Sequence, residues 1–429
     1  MVRKLRTALL GSVVAAMTTF IAGGPAIAGH DDDPRTLNLH PMGHIEEPAS
    51  LLNPAPGGAN IHTDLAFWGH YAFQGSWLGI NIRDVSAPGN PSSVSFTECT
   101  GNQGDVLVWE DVLVRSWNSP APAGATCDGQ SVPVGFEGLH VFDISDLSNP
   151  VLIASVELEC GSHTATAVPD PDNGRLLVYN SGSSSACEGI DIVEIPLADP
   201  AAAALINFVP LQRDCHDIGV ILGNAMMAAC AGDDGYAALD LAGDLDDPVV
   251  LYERSVADVG IGHSAAFTWD GEIIVFGHEP GGGVASNCEE SNPDSDKSYF
   301  FFDAPTGVEL GTWVLPRPQS ATENCTLHNL NVVPIRSGNY VLVHGSYQSG
   351  TSVVDFTDPE HAVELAYSDP PALDPLDIGG AWSSYWYNNF IYETNITEGL
   401  NIFRFSAEET AGAMRLDHLN PQTQMFTID

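Results

Sequence analysis

Lysine is nearly missing from this chain. It occurs only at Lys4 and Lys297, and lysine and arginine together number 14 against 56 aspartates and glutamates. The resulting formal charge of −42 at pH 7 repels phosphate backbones and anionic headgroups, so no nucleic-acid partner is expected and an anionic membrane surface is a poor one. Also missing are a G-x-S-x-G nucleophile elbow, a P-loop, a dinucleotide fingerprint and an H-E-x-x-H pair, so serine-hydrolase, nucleotide-dependent and zincin chemistries lose their motifs. None of the eight cysteines is in C-x-x-C spacing, which argues against a thiolate zinc site. No EF-hand or nonapeptide calcium loop is present. Beyond the N-terminus no segment carries apolar residues at helical spacing, and no apolar run reaches the ~20 residues of a membrane span.

The N-terminus is different in kind. Arg3, Lys4 and Arg6 precede an apolar stretch from Ala8 to Ile21, and Ala26-Ile27-Ala28 forms an A-x-A cleavage site. Residues 1–28 therefore read as a secretory signal, which places the mature chain, 29–429, outside the cell or in a periplasm. Eight cysteines in an exported protein point to disulfides.

What the chain has in abundance is one repeated pattern. An apolar alternating run recurs seven times: GINIRDVS at Gly79, GLHVFDIS at Gly138, GIDIVEIP at Gly189, GYAALDLA at Gly235, KSYFFFDA at Lys297, GTSVVDFT at Gly350 and GLNIFRFS at Gly399. The copies start 46 to 62 residues apart, too irregular for a solenoid and suited to blades with variable loops. A second apolar run follows each copy. Two strand-like runs precede it, such as HTATAV and RLLVYNS joined through Pro-Asp-Asn-Gly, the chemistry of a tight turn. Four short strands per unit predict an all-β fold, a single seven-bladed β-propeller. The last copy has little apolar sequence after it, so the run from Thr36 to Ile45 is expected to close the ring as the fourth strand of blade seven. Residues 407–429 form a C-terminal tail, and its stretch from Leu416 to Asp429 is expected to pack outside or stay mobile. A monomer is expected.

The repeat also narrows the disulfides. Cys160 precedes the first strand of its blade and Cys187 follows the second, as do Cys215 and Cys230. The same logic pairs Cys99 with Cys127 and Cys288 with Cys325, each closing a loop of modest length.

Aligned by distance from the repeat, the first strands begin at His62, Gln103, His163, His216, His263, His328 and Trp382. A lone histidine at a strand start is ordinarily a polar plug bonded to backbone. Five of seven equivalent positions is another matter, because with 14 histidines in 429 residues chance would put well under one there. First strands line the central channel of a propeller, so these residues should converge at one mouth. A ring of imidazoles suits a transition metal, copper favoured and zinc the alternative, on His62, His163, His216, His263 and His328. Gln103 and Trp382 break the ring, and Trp382 offers a stacking surface. Contributing groups are Asp105, Asp217, His278, Glu279 and Tyr385. Asp217 also reads as a turn residue, and Glu279, beside Gly281-Gly282-Gly283, as a loop carboxylate that would ordinarily be solvated. The long loops Trp117–Glu137 and Glu279–Asp296 should lie with the disulfides on the mouth face, where binding loops belong.

Two functions follow. The metal would bind or oxidise a small molecule at the mouth; alternatively the stapled loops would grip a protein, peptide or glycan without catalysis. A calcium-dependent propeller hydrolase would need axial carboxylates and asparagine, and the ring composition argues against it. The runs GLHVFDISDLSNPVLIASVEL and SVVDFTDPEHAVELAYSDP, with CGSHTATAVPD, CHDIGV and GHSAAFTWDGEIIVF, resemble the LVIVD-repeat proteins, exported bacterial β-propellers. That resemblance spans nearly all of the mature chain and implies the fold; it brings no assigned reaction. The fifth copy, KSYFFFDAPTG, departs from it in lacking the opening glycine and the Asp-Pro turn.

Overall fold

The computed structural model describes residues 29–46, 60–183, 186–373 and 378–428; the expected signal segment lies outside them. Seven antiparallel sheets of four repeat-derived strands surround one axis. Their inner strands are His62–Trp68, Val106–Trp109, Thr164–Asp170, Asp217–Ile221, Gly262–Phe267, Leu330–Val332 and Ala381–Tyr387, each packed beside the next around the channel. The seven repeat copies become the third strands, including Ser298–Asp303 in the irregular fifth blade. Leu39–Ile45 pairs with Gly399–Phe405 and closes blade seven, as expected of the Thr36–Ile45 run.

Burial explains the long apolar runs. Second and third strands are covered on both faces by neighbouring blades, so Arg175–Ser181 and Gly189–Pro196 are buried almost throughout, whereas the outer strand Ala204–Pro210 is mostly exposed. The core lies between blades, with Phe73, Ile82, Leu113 and Phe142 in one cluster and Tyr236, Phe276 and Phe302 in another. Each such side chain contributes roughly 1.5–3 kcal/mol on burial.

One local feature recurs in all seven blades. Where the third strand meets the fourth, the register slips by one residue, and the extra residue is Val94, Ile153, Ile206, Leu251, Leu310, Leu365 and, in the borrowed strand, Met42. A bulge bends and twists the strand that carries it. Every one of these residues is a large apolar side chain, so the N-terminal strand repeats the outer-strand pattern of the other blades.

The C-terminal tail departs from expectation. It neither packs outside nor hangs free but threads the channel at the end away from the inner-strand starts. His418–Leu419 pairs with Phe67 and Trp68 of blade one, and Thr423–Gln424 runs parallel to Val220 and Ile221 of blade four. Between these points Asn420 clamps the backbone N–H and C=O of Val108, Thr423 donates to Ala167 O, and Gln424 donates to Phe267 O. The driving force is the inner-strand edge, whose unpaired backbone groups need partners that side-chain amides supply. The tail is polar because its role is hydrogen bonding.

Candidate metal centre

A cavity of about 700 Å³ occupies the end of the channel where the inner strands begin. Four of the five histidines form one wall. Their ring centroids follow one another at 4.1 Å (His163 to His216), 4.2 Å (His216 to His263) and 4.3 Å (His263 to His328). His62 does not join them. It is buried but does not line the cavity, because blade one carries a bulge at Thr63 and Asp64, the two residues that turn inward in its place. Bulges at His263 and Trp382 aim those side chains into the channel. His263 sits at such a slip itself, whereas His62 stands one residue before the slip of its blade and so falls outside the arc.

Glu279 is the residue whose environment the sequence misrepresents. It is 5% exposed rather than solvated in a loop. Its Oε1 stands 3.4 Å from His328 Nε2 and its Oε2 3.7 Å from His263 Nε2, and Tyr347 donates to Oε1 at 2.8 Å. Gly281, Gly282 and Gly283 all adopt positive φ, and a Cβ on Gly283 would lie 2.3 Å from the Tyr347 hydroxyl; only glycine lets this loop close over the carboxylate.

Two imidazoles are held in a ligand-ready tautomer. His328 donates from Nδ1 to Trp382 O at 2.5 Å and His163 from Nδ1 to Asn118 Oδ1 at 2.9 Å, leaving Nε2 of each with its lone pair. Burial pushes the His163 imidazolium down to about 4 and that of His328 to about 3. Burial, reinforced by the neighbouring imidazoles, also holds His216 and His263 well below the usual range. All four are neutral near pH 7, the form that binds metal. Burial raises Glu279 to about 7.

The donors of His263, Glu279 and His328 all lie within 4.8 Å of one another, as do those of His216, Asp217 and His263. Ligands at ~2.1 Å from a tetrahedral ion stand about 3.4 Å apart, so the Glu279–His328 separation already fits. A third cluster, Cys99, Cys127 and His140, offers no thiolate because its cysteines form a disulfide.

Gln103, Asp105, Asp217 and Trp382 also line the cavity. Tyr385 reaches it through Asp64, donating to Oδ1 at 2.5 Å. His278 stays outside: its Nδ1 donates to Ser295 O and its Nε2 accepts from Gly260 N, which ties down the neighbouring loop. The sequence reading missed Asp64, Asn118, Asn329 and Tyr347. Asp64 stands two residues after His62 as Asp105 does after Gln103, a match that could have flagged it; Tyr347 carries no signal. All four disulfides form as the repeat indicates: Cys99–Cys127, Cys160–Cys187, Cys215–Cys230 and Cys288–Cys325. Cys215 itself lines the cavity beside His216. Among the described residues, no helix is long and apolar enough to cross a membrane.

Residues 132–157 match the LVIVD repeat, the third and fourth strands of blade two with the segment before them. No curated protein matches the chain in sequence. Among solved structures it is similar to a chain of the mitotic checkpoint complex, at 13% identity and a TM-score of 0.50, over 94% of this chain and 100% of that one. It is also similar to the Cps50 (Swd1) β-propeller domain of Myceliophteria thermophila, at 10% identity and a TM-score of 0.51, over 81% and 96% of the two chains. At such identities the likeness concerns fold alone, and the chain is a seven-bladed β-propeller with an LVIVD repeat in its second blade.

Proposed function

We propose that this propeller is an exported protein of the bacterial LVIVD-repeat type that binds a transition metal through His216, His263, His328 and Glu279, with His163 alongside. The ion is copper in preference to zinc, because copper(II) heads the affinity order for imidazole-rich sites. It binds or oxidises a small molecule that enters at the mouth, where Trp382 and Tyr347 line the cavity. A d-block ion with an open position supplies Lewis-acid or redox chemistry there. One observation carries this reading: consecutive neutral imidazoles face a buried carboxylate, and among the described residues no lysine or arginine is paired with it. Metal analysis of untagged protein after copper or zinc loading tests it. About one equivalent is expected, lost in His263→Ala, and less than about a tenth of an equivalent sinks the idea.

The disulfides favour a second reading, a non-catalytic scaffold, since Cys160–Cys187 and Cys215–Cys230 brace loops whose residues Gly182, Ser183 and Asp214 line the cavity. In that case His263→Ala changes stability and leaves metal content untouched.

A further inference from the structure

The lining of the cavity is one-sided in charge. Asp64, Asp105, Asp214, Asp217, Asp233 and Glu279 all line it, and among the described residues no lysine or arginine does. Arg213, which precedes Asp214, is paired with Asp234 and Glu253, and Arg115 donates to the backbone oxygens of Ser76, Gly101 and Ser116. With His163, His216, His263 and His328 neutral near pH 7, no positive charge lines the chamber. Acids set in low-dielectric walls focus a negative potential, which rejects an anionic ligand and concentrates a cationic one.

The rest of the lining favours an organic cation. Asn329 is 6% exposed; its Nδ2 donates to Asp64 Oδ2, while its Oδ1, a pure acceptor, is buried without a hydrogen-bond partner. An unmet acceptor asks for a donor, and a ligand N–H supplies one. Trp77 and Trp382, both partly exposed, line the same cavity, and indoles stabilise organic cations. The volume of about 700 Å³ lies within the ~300–1,000 Å³ of small-molecule pockets and far exceeds the needs of a bare ion. Burial raises Asp64 and Asp105 above the ordinary carboxyl range, the response of acids with no cation beside them. A primary amine, with an ordinary pKa near the ~10.4 of lysine, takes up the proton such an acid holds and remains beside it as ammonium. No cage of oxygens around one point is required. We propose, resting on the small-molecule reading above, that the ligand of this cavity is a primary amine bound as its ammonium ion, with its hydrocarbon part toward Trp77 and Trp382.

Calorimetric titration of full-length, chelator-treated protein at pH 7 tests this with benzylamine, its neutral counterpart benzyl alcohol and the anion benzoate. One saturable site is expected for benzylamine, at least about tenfold tighter than for benzyl alcohol, and none for benzoate. Gln103→Lys adds a cation to the lining without removing a buried acid, so it should weaken benzylamine at least about tenfold. Ala202→Lys makes the same change of charge on an exposed turn outside the cavity and should leave the titration unchanged. Copper stoichiometry is measured separately on the same preparation: benzylamine binding without copper sinks the metal and spares the amine, and copper binding without benzylamine does the reverse. The proposal is overturned if benzyl alcohol or benzoate binds as tightly as benzylamine, if no saturable site appears, if Gln103→Lys titrates like wild type, or if Ala202→Lys weakens binding equally, as diffuse attraction to an acidic surface would.

Discussion

Replacing Glu279 by glutamine should stabilise the metal-free protein while weakening its hold on metal. The reasoning starts from where the proton sits. Burial holds the Glu279 carboxyl up to about 7 and the facing His328 imidazole down to about 3, so below neutrality the pair is neutral, with the proton on the carboxyl. In the unfolded chain the same carboxyl titrates near its ordinary 4.5. At this carboxyl the folded state therefore binds more protons between these values, and its contribution to stability falls as pH rises through that interval, fully present below 4.5 and lost by about 7. At about 1.36 kcal/mol per pH unit the loss is about 3 kcal/mol. Glutamine keeps the acceptor for the Tyr347 hydroxyl and cannot ionise. Urea unfolding of chelator-treated protein, followed by tryptophan fluorescence from pH 4 to 8, should show the two proteins alike at pH 4 and Glu279→Gln ahead by up to about 3 kcal/mol at pH 8. Copper loading should reverse the order, because the bound ion rewards the carboxylate. Parallel pH profiles for the two metal-free proteins would refute the argument, since they would mean that Glu279 titrates as a solvated group.

Two other substitutions probe the supports of the cavity. Gly283→Ala places a methyl 2.3 Å from the Tyr347 hydroxyl and 2.7 Å from Glu279 Oε1 at a positive φ, so it should cost about 1–3 kcal/mol in thermal unfolding and weaken copper retention against a chelator. Asn420→Ala leaves the N–H and C=O of Val108 without their tail partners. A loss of about 2–4 kcal/mol in urea unfolding is expected, and a loss below about 0.5 kcal/mol would mean that the tail is not a structural plug.

The fold was readable because the seven copies state one rule seven times. A third strand buried on both faces must be apolar in alternate and adjacent positions alike, as in GIDIVEIP, and its partner strand must carry an extra large residue at the bulge, as Leu251 and Leu365 do. The cysteines were legible for the same reason, since the ends of first and second strands meet on one face. The tail was not, because its polar residues Asn420, Gln422 and Gln424 resemble a solvated terminus unless the unpaired inner-strand edges they satisfy are known.

The site was half legible, and the boundary falls where register changes. Aligning the first strands assumes that every one of them pairs without interruption, yet two residues oppose one at His163-Thr164, at His216-Asp217 and at His328-Asn329. In blade one the slip falls after His62 and gives the inward place to Thr63 and Asp64, so an apparent ring of five imidazoles becomes an arc of four. Asn329 escapes notice by the same mechanism, since it follows His328 directly and an alternating strand would turn it away, yet both line the cavity. A local slip of one residue exchanges faces in a strand, and here it exchanges donor chemistry as well. The expectation that a histidine ring leaves no room for axial carboxylates and asparagine rested on uniform register. The two donor types are interleaved rather than separated, since Asp217 Oδ1 stands 3.9 Å from His216 Nδ1 and the donors of His216, Asp217 and His263 lie within 4.8 Å of one another.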